Sequence, residues 1–199
     1  MVTVEADLVH VESRLASGQM DCPSCPDGVL ACWGFARVRR VHGVTGPVRP
    51  RRARCRSCRV THVLLPVMAL LRRGYGAQTI WNALVLRSRG WGHRRIAENL
   101  GVPASTVRGW LRRVTGRVES MRAWFLQVAV GTGIDVAIPD GSGCGWSDLV
   151  AAIATAAAAI GARFGPAGVL GVMTPPLVMV AVSGGRLLAP CWPPAARRI

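Results

Sequence analysis

Lysine is absent from these 199 residues, so the whole positive charge rests on 25 arginines, set against only 10 acidic residues. A glycine-rich phosphate loop that closes on a lysine is therefore excluded. A secretory signal is missing as well: the first residues, MVTVEADLVHVESRLAS, carry acids early and hold no apolar core behind a basic start, which points to a cytoplasmic protein. Long apolar runs are few. Leu149 to Ala162 is uncharged but spans only about 21 Å as a helix, short of the roughly 30 Å of a bilayer interior. Phe164 to Gly185 is longer, but Pro166, Pro175 and Pro176 interrupt it, so no membrane segment is expected. Nor is there a nucleophile motif, because Ser142 in DGSGCG lacks the strand-to-helix setting of a G-x-S-x-G elbow. No small-molecule substrate is suggested.

Half the residues are hydrophobic, enough to build a packed core. A bias toward GC-rich codons accounts for arginine in place of lysine, so the distribution of charge says more than its chemistry. Between Arg37 and Arg122 stand 20 arginines and only Glu98 and Glu119, whereas the rest of the chain is slightly acidic. A single-sign field of that size attracts a polyanion and makes binding salt-dependent through counterion release. A basic membrane-surface patch is the rival reading.

His93 to Arg112, HRRIAENLGVPASTVRGWLR, reads as two helices joined by a sharp turn. Ile96, Ala97 and Leu100 share one face of the first, and Gly101 sits where a left-handed residue ends it. The second helix buries Val107, Trp110, Leu111 and Val114 and turns Ser105, Thr106, Arg108, Gly109, Arg112 and Arg113 outward. A small, hydroxylic and cationic face suits a helix lying in the DNA major groove, with Arg108 placed to read a base edge. Arg94 and Arg95 on the first helix join Ser105, Thr106, Arg108, Arg112 and Arg113 as candidate DNA contacts. An ordinary helical hairpin with a solvated face is the alternative. Pro103 stands where a serine or threonine would cap the second helix, a position that tolerates proline. A preceding helix over about 77–89, with Ile80, Trp81, Leu84 and Val85 inward, completes three helices, and Trp81 and Trp110 read as core residues.

Seven cysteines in a cytoplasmic chain favour a metal over disulfides where they come in close pairs. Cys22-Pro-Ser-Cys25 and Cys55-Arg-Ser-Cys58 are two C-x2-C units with 29 residues between them. Two such knuckles complete a tetrahedral four-thiolate site with no open position, so one structural zinc ion is expected. The runs 29–41 and 47–54, separated by a turn at 42–46, form the hairpin of a zinc ribbon, and Thr61 to Pro66 is its closing strand. Cys32, His42 and His62 lie near enough in sequence to compete as ligands, and a redox dithiol or accidental pairing is the alternative. Cys144 and Cys191 have no partner at ligand spacing.

Beyond the second helix, a helix from Arg117 to Val130 presents Val118, Met121, Phe125 and Val128 on one side. After a glycine-rich loop with Asp135 and Asp140, an alanine-rich helix capped by Ser147, with Asp148 at its positive end, runs to Gly161 or Gly165. The expected class is mainly α with a small β zinc ribbon: an N-terminal segment (1–19), the ribbon (20–66), a three-helix helix-turn-helix domain (67–116), an apolar C-terminal helical region (117–190) and a tail (191–199).

The motifs CPSC, RRARCRSCRVTHVLLP and HRRIAENLGVPASTVRGWLRRV together resemble the zinc-ribbon plus helix-turn-helix part of bacterial insertion-sequence transposases. They resemble more closely a family of short, high-GC bacterial helix-turn-helix proteins, whose ending is similar to GGRLLAPCW. The resemblance implies double-stranded DNA as the partner, carried by Cys22, Cys25, Cys55 and Cys58 for the metal and Ser105, Thr106, Arg108 and Arg112 for the groove. It does not imply catalysis. A ribonuclease-H-type transposase needs three carboxylates around two metal ions, and the acids after the helix-turn-helix are only Glu119, Asp135, Asp140 and Asp148. The expectation is a non-enzymatic, nucleoid-associated regulator or transposase-derived binder, with a homodimer possible through the apolar C-terminal region. The alternative is a truncated or split transposase subunit that works with a separate catalytic chain.

Overall fold

The structure, a computed structural model, describes residues 1–165 and 172–194. Parts of the uncharged run from Phe164 to Gly185, Pro166 among them, and residues 195–199 of the expected tail lie outside the described residues. The described chain is mixed α/β rather than mainly α: seven helices accompany one four-stranded and one two-stranded sheet. The ribbon strands are β2 (Leu30–Phe35), β5 (Arg51–Cys55) and β6 (Thr61–Pro66), all antiparallel neighbours. A smaller hairpin of β3 (Arg39–Arg40) and β4 (Pro47–Val48) projects between β2 and β5. The hairpin expected over 29–54 is thus present but broken in two, with a register irregularity between Cys32 and Phe35.

The N-terminus is more than a leading segment. β1 (Val2–Val4) adds to the sheet parallel to β6, giving the order β1-β6-β5-β2. Asp7 caps α1 (Leu8–Ala16) by accepting from the Val9 N–H at 2.8 Å, satisfying a donor that the first turn leaves free. Val4, Val11 and Leu15 are buried with Leu30, Ala53 and Leu64, so the first sixteen residues supply the apolar cover that a bare ribbon lacks. Buried Glu5 is paired with Arg14 at 3.0 Å, which spares that carboxylate the cost of an uncompensated charge.

The helical part begins with α2 (Ala77–Ser88), α3 (His93–Leu100) and α4 (Ala104–Thr115). Gly101 ends α3 at φ 62°, the left-handed conformation its position in sequence anticipates. Ile96, Ala97, Val107, Trp110, Leu111 and Val114 are all buried. On α2, Ile80 and Leu84 are buried as expected, Ala77 and Ala83 join them, and Trp81 and Val85 are half-buried. α5 (Val118–Gly131) buries Met121, Phe125 and Ala129, so Ala129 takes the inner place expected of Val128.

α6 (Gly145–Phe164) starts two residues before the expected cap. Ser147 lies inside it and donates to the Ser88 carbonyl of α2 at 3.2 Å, while Asp148 accepts from the Ser142 N–H at 2.7 Å. By length and composition α6 is the one described helix that could cross a bilayer. Here its small residues Ala152, Ala156 and Ala159 are fully buried, which lets neighbouring helices approach closely. It packs on α2, α5 and α7 (Pro175–Ser183), whose prolines occupy the first turn rather than breaking the helix. One apolar core therefore runs from Leu70 through α2–α7 to Trp192, against which Phe125 stacks at 5.8 Å. Phe125→Ala should lower stability by about 3–5 kcal/mol in urea denaturation, because a fully enclosed ring leaves a cavity that packed helices cannot close.

Candidate metal centre and nucleic-acid interface

The Cys22/Cys25 knuckle precedes β2, and the Cys55/Cys58 knuckle follows β5, so the pairing of those two strands brings the knuckles face to face. The ligand atoms of Cys22, Cys25, Cys55 and Cys58 all lie within 4.8 Å of one another. Cys22 and Cys58 sulfurs are 3.7 Å apart, and Cys25 and Cys55 sulfurs 3.6 Å. Four thiolates bonded at about 2.3 Å around a tetrahedral ion stand about 3.8 Å apart, so these two pairs are at ligand spacing and the quartet could hold a metal ion. The Ser24 N–H points at the Cys22 sulfur at 3.4 Å, and the Cys22 N–H donates to Gly28 at 2.6 Å, closing the first knuckle. In the second, the Cys55 N–H donates to Val60 at 2.9 Å, and Arg59 adopts φ 62°, a left-handed turn held by Arg54 donating to its carbonyl at 3.0 Å. Burial and hydrogen bonds from the neighbouring thiols push Cys25 up to about 12. Burial also acts to raise Cys55, but the N–H groups of Cys58 and Ser57 outweigh it and bring that thiol down to about 6. The second knuckle thus already favours a thiolate, the form that binds metal.

The three competitors separate by geometry. Cys32 is exposed, with its sulfur 3.5 Å from Glu12 Oε2, and His42 stacks on Tyr75 at 5.4 Å, so neither belongs to the quartet. His62 is different: it is buried, with Nε2 3.6 Å from the Cys22 sulfur and Nδ1 3.2 Å from the Met1 amino nitrogen. Burial and the adjacent ammonium hold its pKa below the ordinary value. Nε2 thus faces the Cys22 sulfur from outside the four-sulfur cluster, the place of an outer-shell partner.

The second site is α4. Ser105, Arg108 and Arg112 are exposed, and Thr106 and Arg113 are half-buried. Two shallow grooves flank the helix. One is lined by Arg72, Arg73, Tyr75, Thr106 and Arg113, the other by Arg87, His93, Arg108 and Thr115, and Ser105 and Arg112 border both sides. Arg113 is partly committed to the fold, donating to the Gly109 carbonyl at 2.8 Å. Burial, and then the nearby Arg113 cation, hold Arg73 below the usual guanidinium range, a sign of concentrated positive charge. Arg94 and Arg95 are exposed on α3, yet neither lines these grooves, and Arg95 lies over the Trp91 ring at 3.8 Å. Sequence reasoning missed Arg72, Arg73, Arg87 and His93. The Arg72-Arg73 doublet was visible, but it lies in a loop where no helical period assigns a direction.

Gly28 lies against the quartet: a Cβ there would meet the Cys25 sulfur, stand 2.6 Å from the Cys55 sulfur and 2.9 Å from the Cys22 Cβ. Gly28→Ala should therefore weaken metal retention, read as faster loss of bound metal to a chelator, while Gly161→Ala on α6, with open space around it and no left-handed backbone, should leave metal retention unchanged.

Residues 77–122 match the family model of a homeodomain-like domain, a span covering α2, α3, α4 and the first turn of α5. No curated protein and no solved structure matches the chain. The arginine-bordered helix α4 is thus the third helix of the matched homeodomain-like domain, with DNA as the partner that such a domain suggests.

Proposed function

We propose that the protein binds double-stranded DNA sequence-specifically through α4, with a structural zinc ribbon beside it, and that it acts as a transcriptional regulator or a transposase-derived DNA-binding protein without catalysis. The observation that carries this reading is the α4 face, where exposed Ser105, Arg108 and Arg112 stand between two grooves bordered by further arginines and by no acid. Arg108 has the reach and planar donor fork for a guanine edge, while Arg112, Arg72 and Arg73 suit phosphates on either side. Zinc is the metal of choice for four closed thiolates, since it has no geometric preference of its own and stabilises a small fold by binding only the assembled site. Such a partner places the protein at the nucleoid.

Two of the acids that follow the helix-turn-helix are engaged within the fold. Glu119 is paired with Arg122 at 3.0 Å, and Asp148 holds the turn at Ser142. Among the described residues, the cysteine quartet is the one group of three or more metal-capable side chains. A split transposase subunit would supply end recognition and leave cleavage to another chain.

Three outcomes follow. The purified protein should contain one zinc, and Cys22→Ser or Cys58→Ser should release it, as measured by elemental analysis. In selection from random duplexes, Arg108→Ala should weaken the preferred site by roughly 1–3 kcal/mol and relax preference at one position. With magnesium or manganese the duplex should remain uncut on a denaturing gel; strand cleavage would refute the non-catalytic reading. A two-fold-symmetric selected site would report a homodimer.

A further inference from the structure

The ribbon carries charge that neither the metal site nor α4 uses. Nine arginines stand between Arg37 and Arg59, and no acid occurs from Gly28 to Ala97. On this ribbon two large aromatics are left in the open: Trp33 is 50% exposed and Phe35 41% exposed, at the outer end of β2. Neither ring is bare. The Arg54 guanidinium lies 4.5 Å from the centre of Trp33, and Arg49 and Arg51 lie 4.7 and 4.3 Å from the centre of Phe35. Arg51 is paired with Glu12 at 2.7 Å and is largely buried, so it belongs to the scaffold. Arg49 is exposed, and no acidic partner accompanies Arg49 or Arg54 among the described residues.

The guanidinium carbons of Arg49 and Arg54 stand over ring centres at 4.7 and 4.5 Å, and a guanidinium so placed keeps its N–H donors in its own plane. It is held without a counter-charge and without the rotamer entropy that a free arginine gives up on binding, a preparation suited to bidentate pairing with a phosphate. The ribbon is also coupled to the helix-turn-helix. His42, in the loop of the β3–β4 hairpin, stacks on Tyr75 at 5.4 Å, and Tyr75 stacks edge-on against Trp110 of α4 at 5.0 Å. The His42 N–H donates to Gly74, and the Gly76 N–H donates back to His42, both at 2.8 Å. β4 leads from that hairpin directly to Arg49.

We propose that the arginine-on-aromatic face of the ribbon, with Arg49 over Phe35 and Arg54 over Trp33, is a second DNA-binding surface that grips the phosphate backbone of the duplex flanking the site read by α4. The proposal rests on the DNA-binding reading of α4 and adds a separate, sequence-independent grip. It assigns to the ribbon a direct share of affinity in addition to its role as a metal-closed fold.

The test measures binding of the intact, zinc-loaded protein to its selected duplex across a salt series, together with a footprint. Arg49→Gln with Arg54→Gln should lower the slope of log affinity against log salt by about 0.9 for each phosphate that is no longer neutralised. The footprint should shorten on one flank, and base preference should be unchanged. Trp33→Leu with Phe35→Leu, which keeps every charge, should weaken binding in the same direction by removing the rings that hold the guanidinium groups. Arg163→Gln, an exposed charge on α6, should leave the slope as it is. Metal content and circular dichroism establish that each variant is folded. An unchanged slope and footprint in the arginine variant, with the wild type binding normally, overturns the ribbon surface and leaves the α4 reading standing. Loss of binding to single-stranded DNA alone, with the duplex slope unchanged, also overturns it, because the rings would then serve as base-stacking platforms. Failure of the wild type to retain duplex at low salt defeats the α4 reading and the ribbon proposal together.

Discussion

Fifteen arginines between Gly28 and Ala97 have no acid among them, and the fold depends on how those cations are held. Ion pairing is scarcely used: Arg51 reaches back to Glu12 on α1, but most of the others have no carboxylate within reach. Carbonyl oxygens and aromatic faces take its place. Arg73 donates to Leu188 and Arg87 to Trp91, while Arg49, Arg54 and Arg95 lie over rings. These partners are dipoles and quadrupoles. They orient a guanidinium without neutralising it, so the net field survives folding. Two unit charges 10 Å apart repel by only about 0.4 kcal/mol in water, and physiological salt reduces that further. The chain can bear many such pairs, and a polyanion that relieves them all gains a large cumulative stabilisation.

The cysteine quartet matters within this arrangement because it lies at the end of a strand that carries several of the cations. β5 runs Arg51-Arg52-Ala53-Arg54-Cys55: Ala53 and Cys55 are buried toward the small core with Arg51 on the same side, and Arg52 and Arg54 alternate to the other. Closing the knuckles locks the register of β5 against β2 and β6, and with it the direction of each arginine. His62 lies beside Cys22, and Val4 of β1 with Val11 and Leu15 of α1 shares the small core that holds Cys22 and Cys55. Stiffness then passes to the helices through the hairpin loop, because His42 bonds the backbone at both Gly74 and Gly76 just before α2 begins. The Tyr75 ring completes the connection to Trp110, on the helix face opposite Arg108.

What could be read from the sequence followed from how local its cause is. The inward and outward faces of α3 and α4 are set by a 3.6-residue period within twenty residues, and each assigned core residue is buried or half-buried. Cysteine spacing was enough for the quartet, because a C-x2-C turn is itself the ligand geometry. The three-residue strand β1 was not legible: its parallel pairing with β6 links residues about sixty apart, and no alternation can show in so short a strand. α1 was missed with it, since its apolar face is defined only by the sheet it covers. Ser147 misled because a serine before an apolar run is a common cap, whereas here its hydroxyl is engaged by the Ser88 carbonyl on another helix. α7 was hidden by prolines that read as breaks in the chain, although the helix starts on them. Arg72 and Arg73 border the α4 groove only through the tertiary path that brings their loop beside Thr106 and Arg113.

The C-terminal helices answer a difficulty that a homeodomain-like unit of 46 matched residues has in such a chain. Three short helices with an unopposed cationic face enclose little apolar surface, and self-repulsion acts against them. α5, α6 and α7 enlarge that enclosure: α2 lies between α3 on one side and α6 and α7 on the other, and Ile80, Leu84, Phe125, Ile153 and Met179 fall in one core. Arg117 connects the two parts directly, since its guanidinium bonds Arg113 at the end of α4 and the carbonyls of Ala189 and Trp192 in the last turn. Burial first of all, with Arg113 acting in the same direction and Cys191 against it, lowers the Arg117 pKa, yet a guanidinium begins so far above neutrality that it stays charged. That cation is therefore a structural one, while Arg108 and Arg112, which precede it on α4, stay exposed. The apolar C-terminal region and the exposed α4 face are thus parts of one physical arrangement: a large neutral core carries the stability, which leaves the surface arginines free of acids that would otherwise compete with phosphate.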